Sequence, residues 1–268
     1  FLNTLLVYLL PSNKRSHEAS YLMCKEVIRR NDGLLQDTIS QFVNQALVGD
    51  GEMEEVSQSD LIEHLLPLIL ELHLISPNLL LYILPSLTML LLADEDGERE
   101  NMVSLLGKIF ASTPAHLMLQ YASSFSEFLK RFQEKATGVR TVMVERAEDM
   151  FDALAPQLLT STSASTSSSH SMLDSLLTGL TRRLRDVEAS VRQAALTSLL
   201  RLAKHHLRRM PPSVLKEVSG RLLDKKTAVR EVALTGLAKL FAFHLHPLML
   251  LPSVGGGKGK KKSKEEEE

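Results

Sequence analysis

The chain of 268 residues has no tryptophan, one cysteine and only 5% aromatic residues. The single Cys24 excludes an internal disulfide and fits a reducing compartment. It reads more simply as a small apolar residue on a helix than as a reactive thiol. The missing aromatics count against single-strand nucleic-acid stacking, which needs rings interleaved with cations. No glycine-rich phosphate loop is present; the glycines fall mostly at predicted helix ends and in Gly255–Gly257. The nine histidines include no His pair at i, i+4 with an intervening Glu, the spacing of zinc hydrolases. His64 with Glu63, His73 with Glu71, and His205 with His206 are the nearest candidates, and ordinary histidines are the better reading. The serines at 160–171 lack a glycine elbow. An enzyme is therefore the weakest functional class. The richest apolar run, Leu79–Ala93, is short for a bilayer and holds Pro85, so it predicts a buried helix.

What is present is a repeat. V-R-Q-A-A-L-T-S-L at 191–199 returns as V-R-E-V-A-L-T-G-L at 229–237, with six of nine positions identical at an offset of 38. A period near 40 marks stacked helix pairs. Weaker copies begin at Arg99 and Arg140. Seven residues after each Arg stand Leu106, Ala147, Leu199 and Leu237; ten after stand Ile109, Met150, Leu202 and Leu240. Eleven after stand Phe110, Phe151, Ala203 and Phe241. These offsets share one helical face. Leu106, Leu199, Leu202, Leu237 and Leu240 are thus predicted core residues. Asp94, Glu134, Asp186 and Asp224 precede the four helices, where a carboxylate can accept free N–H groups.

Partner helices are expected at 60–74, 78–92, 172–184 and 213–223, with prolines punctuating the chain between helices. Pro77, after Ser76, reads as a first-turn proline. No alternating strand is apparent. The predicted fold is all-α, a HEAT/armadillo-like α-solenoid of stacked antiparallel helix pairs over residues 1–250. Flexible insertions are expected near 49–58 and at 160–171, where phosphorylation would add negative charge. A disordered Gly/Lys/Glu tail is expected at 251–268. Its lysines fit either a nuclear import signal or chance. The chain starts at Phe1, already in helical pattern, which predicts a fragment of a longer protein and shows no signal peptide.

Charge is uneven. Residues 1–171 carry a net −10, residues 172–250 a net +8 and the tail +1. Arg182, Arg183, Arg185, Lys204, Arg208, Arg209, Lys225 and Lys226 lie in the basic part. They fit a surface for nucleic acid, an inositol polyphosphate or an acidic protein segment, or alternatively the solvated faces of amphipathic helices.

Several stretches resemble the precocious-dissociation-of-sisters family, the HEAT-repeat regulators of cohesin. They are L-L-V-Y-L-L-P at 5–11, Q-F-V-N-Q-A-L-V at 41–48 and S-D-L-I-E-H-L-L-P-L-I-L-E-L at 59–72. P-N-L-L-L-Y-I-L-P-S-L at 77–87, L-L-G-K-I-F at 105–110 and F-L-K-R-F at 128–132 follow, then L-D-K-K-T-A-V-R-E-V-A-L-T-G-L-A at 223–238. They stand in the family's order across roughly residues 1–245. The chain departs from the family at the insert 49–56, at the Ser/Thr run and at the Lys/Glu tail. The resemblance implies a non-catalytic nuclear scaffold without cofactor or metal. It also implies binding of the cohesin kleisin subunit and Wapl on chromatin, with roles in sister chromatid cohesion and DNA repair. No kleisin or Wapl contact maps onto individual residues. The rival readings are a generic HEAT adaptor and direct DNA binding through residues 172–250.

Overall fold

The computed structural model describes residues 2–10, 13–48, 58–114, 117, 120–160 and 166–244. Among these residues every regular element is helical. The α-helices are α1 (Leu2–Tyr8), α2 (Asn13–Ser16), α3 (Glu18–Arg30), α4 (Asp32–Val48), α5 (Gln58–Ile75) and α6 (Leu84–Met89). They continue as α7 (Asp96–Ser112), α8 (Ala122–Leu129), α9 (Thr137–Thr160) and α10 (Thr166–Arg183). The last three are α11 (Ala189–His206), α12 (Pro212–Gly220) and α13 (Thr227–His244).

The helices that start near Arg99, Arg140, Arg192 and Arg230 are α7, α9, α11 and α13. They lie side by side in chain order, and α6, α8, α10 and α12 back them as the second helices of each pair. This is the expected α-solenoid of stacked antiparallel helix pairs. One connected apolar core runs from Leu5 to Ala233. No described helix is long and apolar enough to cross a membrane.

The predicted stripe is buried where a layer has neighbours on both sides. Leu106, Ile109 and Phe110 of α7, Ala147, Met150 and Phe151 of α9, and Leu199, Leu202 and Ala203 of α11 are all buried. In α13 the same stripe opens. Leu237 and Leu240 are only half-buried against the core, and Phe241 is 47% exposed. The helical period fixes which face is apolar, but a neighbouring layer has to cover that face.

Four expectations need correction. The segment 78–92 is a broken run: a 3-10 turn at Pro77–Leu80, the short α6, then a 3-10 turn at Leu90–Leu92. Pro85 explains the break, because it lacks an N–H and fits only the first turn of α6. Prolines also sit inside helices, Pro67 in α5 and Pro156 in α9. Glycines are not confined to helix ends: Gly107, Gly179 and Gly236 lie within helices where two helices meet closely. A Cβ on Gly236 would stand 2.2 Å from Leu200 Cδ1, so a larger residue there would require the end of the Leu200 side chain to shift. The Ser/Thr run is a shorter connection than expected, because α10 begins at Thr166. The expected insertion near 49–58 lies outside the described residues up to its last position, Gln58, which begins α5. The tail 251–268 lies wholly outside them.

Candidate interaction surface

All four marker arginines grip the carbonyls of the turn before their own helix, and Arg140 and Arg192 also tie their layer to the next. Arg140 donates through Nη1 to the carbonyls of Glu134 and Lys135, at 2.8 and 2.6 Å. Its Nε and Nη2 donate to both oxygens of Asp186, each at 2.9 Å. Arg192 repeats the arrangement one layer on. Nη1 reaches the carbonyls of Asp186 and Val187 at 2.9 and 3.0 Å, and the fork closes on Asp224 at 2.9 Å twice. A planar guanidinium suits this work because its donors match a carboxylate in a fixed fork.

Each aspartate serves both layers. Asp186 accepts the backbone N–H of Glu188 at 3.0 Å, and Asp224 that of Lys226 at 3.0 Å. Asp186 and Asp224 thus bond free N–H groups, as their positions predicted, and Glu134 accepts the Lys135 N–H at 2.9 Å. Burial opposes the charge on Asp186, but bonds from Arg140 and the Glu188 N–H, with Arg183 nearby, hold its carboxyl below the usual value. For Asp224 the Arg192 bond is the largest influence and acts in the same direction, against burial.

The series weakens at both ends. Arg99 reaches the carbonyls of Ala93 and Asp94 and pairs with Asp96 on its own helix. Arg230 holds the same two-carbonyl grip, on Asp224 and Lys225 at 2.7 and 3.2 Å. Its other edge meets only the Thr227 hydroxyl, at 2.8 Å.

The basic residues singled out in sequence form two groups. Arg182, Arg183, Lys225 and Lys226 sit at the turns that open α11 and α13. These turns are adjacent, because Arg221 donates to the Leu184 carbonyl at 3.1 Å. Lys204, Arg208 and Arg209 sit at the other end of α11. A helix rising 1.5 Å per residue places the two groups roughly 25 Å apart. Arg182, Lys225 and Lys226 are exposed. Arg183 is committed to Asp186 at 2.8 Å, and Arg185 is paired with Glu217. Arg208 is exposed and Arg209 half-buried.

Lys204 belongs to a different feature. Its Nζ stands 5.0 Å from the centroid of the Phe243 ring, within cation–π range. Both residues border a groove of about 920 Å³ between α11 and α13. Leu200, Val232, Leu240 and Phe243 give it an apolar floor, and Arg201, Lys204 and Lys239 give it a basic side. Arg201, Lys239 and Phe243 were not singled out in sequence. A signal existed for two of them: Arg201 and Lys239 stand one repeat period apart, 38 residues, just as Arg192 and Arg230 do.

A second groove, about 670 Å³ between α5 and α7, has the same build with the opposite charge. Leu66, Pro67, Leu70 and Leu105 line it, with Glu95 and Glu98 opposing a single Lys108. Between the two grooves α9 exposes Glu145, Asp149 and Asp152. Charge crosses from α9 to α11 through Arg201 to Glu148 at 3.5 Å and His206 to Asp152 at 2.8 Å.

The remaining chemical candidates are structural in character. Cys24 is buried, and burial pushes its thiol pKa up. His73 is 1% exposed, and its Nε2 lies 3.2 Å from Thr113 Oγ1. The Thr113 hydroxyl donates to the Ile109 carbonyl at 2.7 Å, so Nε2 is the protonated nitrogen. Burial lowers the His73 pKa to about 4. His205 is exposed. The side chains of Glu63 and His64 lie outside the described residues. Among the described residues no group of three potential metal ligands occurs.

A solenoid of short-linked helix pairs, tied by layer-bridging Arg–Asp forks and presenting charged grooves, is the architecture of a HEAT-repeat scaffold. Comparison with known proteins agrees and names the group. The profile of the sister chromatid cohesion protein PDS5 family matches residues 1–261. The chain belongs to that family. It is 34% identical over 146 residues to sister chromatid cohesion protein PDS5 homolog A of Gallus gallus, a match covering 54% of this chain and 11% of that protein. The human PDS5 homolog B matches at 34% over 146 residues, covering 54% of this chain and 10% of its own length. The chain therefore spans about a tenth of the curated relatives it matches. Among solved structures, the Pds5–Scc1 complex aligns at a TM-score of 0.65 with 14% identity, covering 85% of this chain and 33% of that one. Cex1p aligns at 0.55 with 17% identity, covering 94% and 44%. These two likenesses concern the fold.

Proposed function

We propose that this chain is a kleisin-binding segment of a cohesin regulator. It acts on chromatin in the nucleus, in maintaining and releasing sister chromatid cohesion. The observation that carries the reading is family membership across residues 1–261, together with a related solenoid studied as a Pds5–Scc1 complex. The physical support is the continuous layer of α7, α9, α11 and α13. Stacked repeats of this kind expose a long surface suited to an extended peptide. The kleisin linker is the first partner. Wapl is the second, carried by the family resemblance and not by any residue of the surface.

Direct binding of DNA or an inositol polyphosphate through the basic residues is the rival. Two observations weaken it: the basic side chains split between opposite ends of α11, and Arg183 and Arg185 are already paired. The deciding experiment titrates the chain with a kleisin linker peptide and, separately, with duplex DNA, at low and physiological salt. The reading predicts peptide binding that persists at physiological salt. Binding to DNA alone, lost as salt rises, would replace it, because phosphate contacts act through counterion release.

A further inference from the structure

We propose that the groove between α11 and α13 is a docking site for an extended acidic peptide with one apolar anchor, an aromatic or large aliphatic side chain. The inference goes beyond the scaffold reading and does not depend on it, because it stands on the chemistry of the groove.

Three features select the occupant. The first is sign. Arg201, Lys204 and Lys239 face Glu231, the only acidic residue among the described residues that line the groove. Arg201 is partly neutralised by Glu148, at 3.5 Å with the arginine two-thirds exposed, so the pair holds it only weakly. Lys204 and Lys239 are exposed and available. The second feature is the floor. Leu200 is nearly buried, Val232 and Leu240 are half-buried, and the Phe243 ring is 52% exposed beneath the Lys204 ammonium. An apolar side chain inserted there would cover the exposed face of Phe243, while a neighbouring carboxylate would reach Lys204. The third feature is length. Gln193 and Lys204 bound the groove along α11, roughly 17 Å apart at 1.5 Å rise per residue. An extended chain at about 3.3 Å per residue crosses that distance in about five residues.

The α5–α7 groove is a built-in contrast. It has comparable apolar walls, but Glu95 and Glu98 dominate its rim. It should reject the ligand that the α11–α13 groove accepts, because like charges brought together oppose binding. A duplex is a poorer fit than a peptide. The cations border one narrow apolar trough, and a nucleic-acid backbone carries nothing to place on the floor.

The test uses the whole chain and two labelled peptides, Asp-Glu-Asp-Phe-Glu-Asp-Glu and the same sequence with Ala for Phe. Fluorescence polarisation at physiological salt reads the affinity. The expected result is that the Phe peptide binds about tenfold or more tighter than the Ala peptide, a factor equal to about 1.4 kcal/mol. Lys204→Gln with Lys239→Gln should weaken the Phe peptide by about tenfold. Phe243→Ala should abolish the preference for Phe over Ala. Lys225→Gln with Lys226→Gln, at the opposite end, should change nothing. Circular dichroism melts show that each variant remains folded. No binding, equal affinity for the two peptides, or indifference to the Lys204 and Lys239 substitutions would overturn the proposal. Tight binding of duplex DNA that displaces the peptide would also overturn it, in favour of a nonspecific polyanion surface. The kleisin titration is a separate measurement, so either idea can fail alone.

Discussion

The α11 and α13 layers share a nine-residue sequence motif but differ in environment. Leu196 is fully buried, and its repeat partner Leu234 is 64% exposed. Leu199 is buried, and Leu237 is half-buried. Arg192 closes a two-bond fork on the next layer's Asp224, whereas Arg230 keeps its carbonyl grip and meets only Thr227. The motif encodes a helix with a core face and an inward arginine. The next layer along determines how much that encoding contributes to stability. In a solenoid, stability is a sum of repeat and nearest-neighbour terms, and among the described residues these two repeats, identical at six of nine motif positions, differ in how far neighbours cover them.

That comparison can be tested by paired substitutions. The largest effect belongs to Leu199→Asp, which places an unpaired charge inside the array and should cost about 4–5 kcal/mol. Leu237→Asp should cost only about 1–2 kcal/mol, since the half-open face lets water reach the new carboxylate. Chemical denaturation of both variants measures the gap, and equal losses would erase the proposed difference between layers.

Next come the arginines. Arg192→Ala leaves the Asp224 carboxylate buried and short of two donors, at a cost of about 3 kcal/mol. Arg230→Ala removes bonds to two carbonyls and one hydroxyl but strips no carboxylate of its partner, and about 1 kcal/mol is expected. A smaller Arg192→Ala effect than Arg230→Ala would invert the account.

The subtlest prediction is a pH dependence. Asp224 has its folded pKa held below the ordinary carboxylate value, so its contribution is complete above about pH 4. It is lost as pH falls through the folded value, when protonation breaks the Arg192 fork. Thermal melts should show wild type losing stability on acidification in that window. Asp224→Asn, which has already lost the charge, should lose less over the same interval. Parallel curves for the two proteins would remove Asp224 from the explanation.

The repeat was legible in sequence because its markers are local. A Val-Arg pair, an acid ahead of it and apolar residues at fixed offsets require no knowledge of neighbours. The break at Pro77–Leu92 was harder to see. Leucines at eight of the sixteen positions 77–92 hide the period, and one proline decides between a continuous helix and three short pieces. The interaction surface was read least well. Lys204 and Lys226 are close in sequence and similar in chemistry, but α11 and α12 carry them to opposite edges. Phe243 carried no sequence signal of a site, because only stacking against α11 brings its ring under Lys204. Charge asymmetry could be counted from the residues, but which cations remain unpaired depended on contacts such as Arg183 with Asp186.

The most direct test of the scaffold account is hydrogen exchange of the chain with and without a kleisin linker peptide. The account predicts added protection spread along α7, α9, α11 and α13, the layer that offers a continuous surface. Protection confined to the turns around Arg182 and Lys226, or no protection at all, would contradict it.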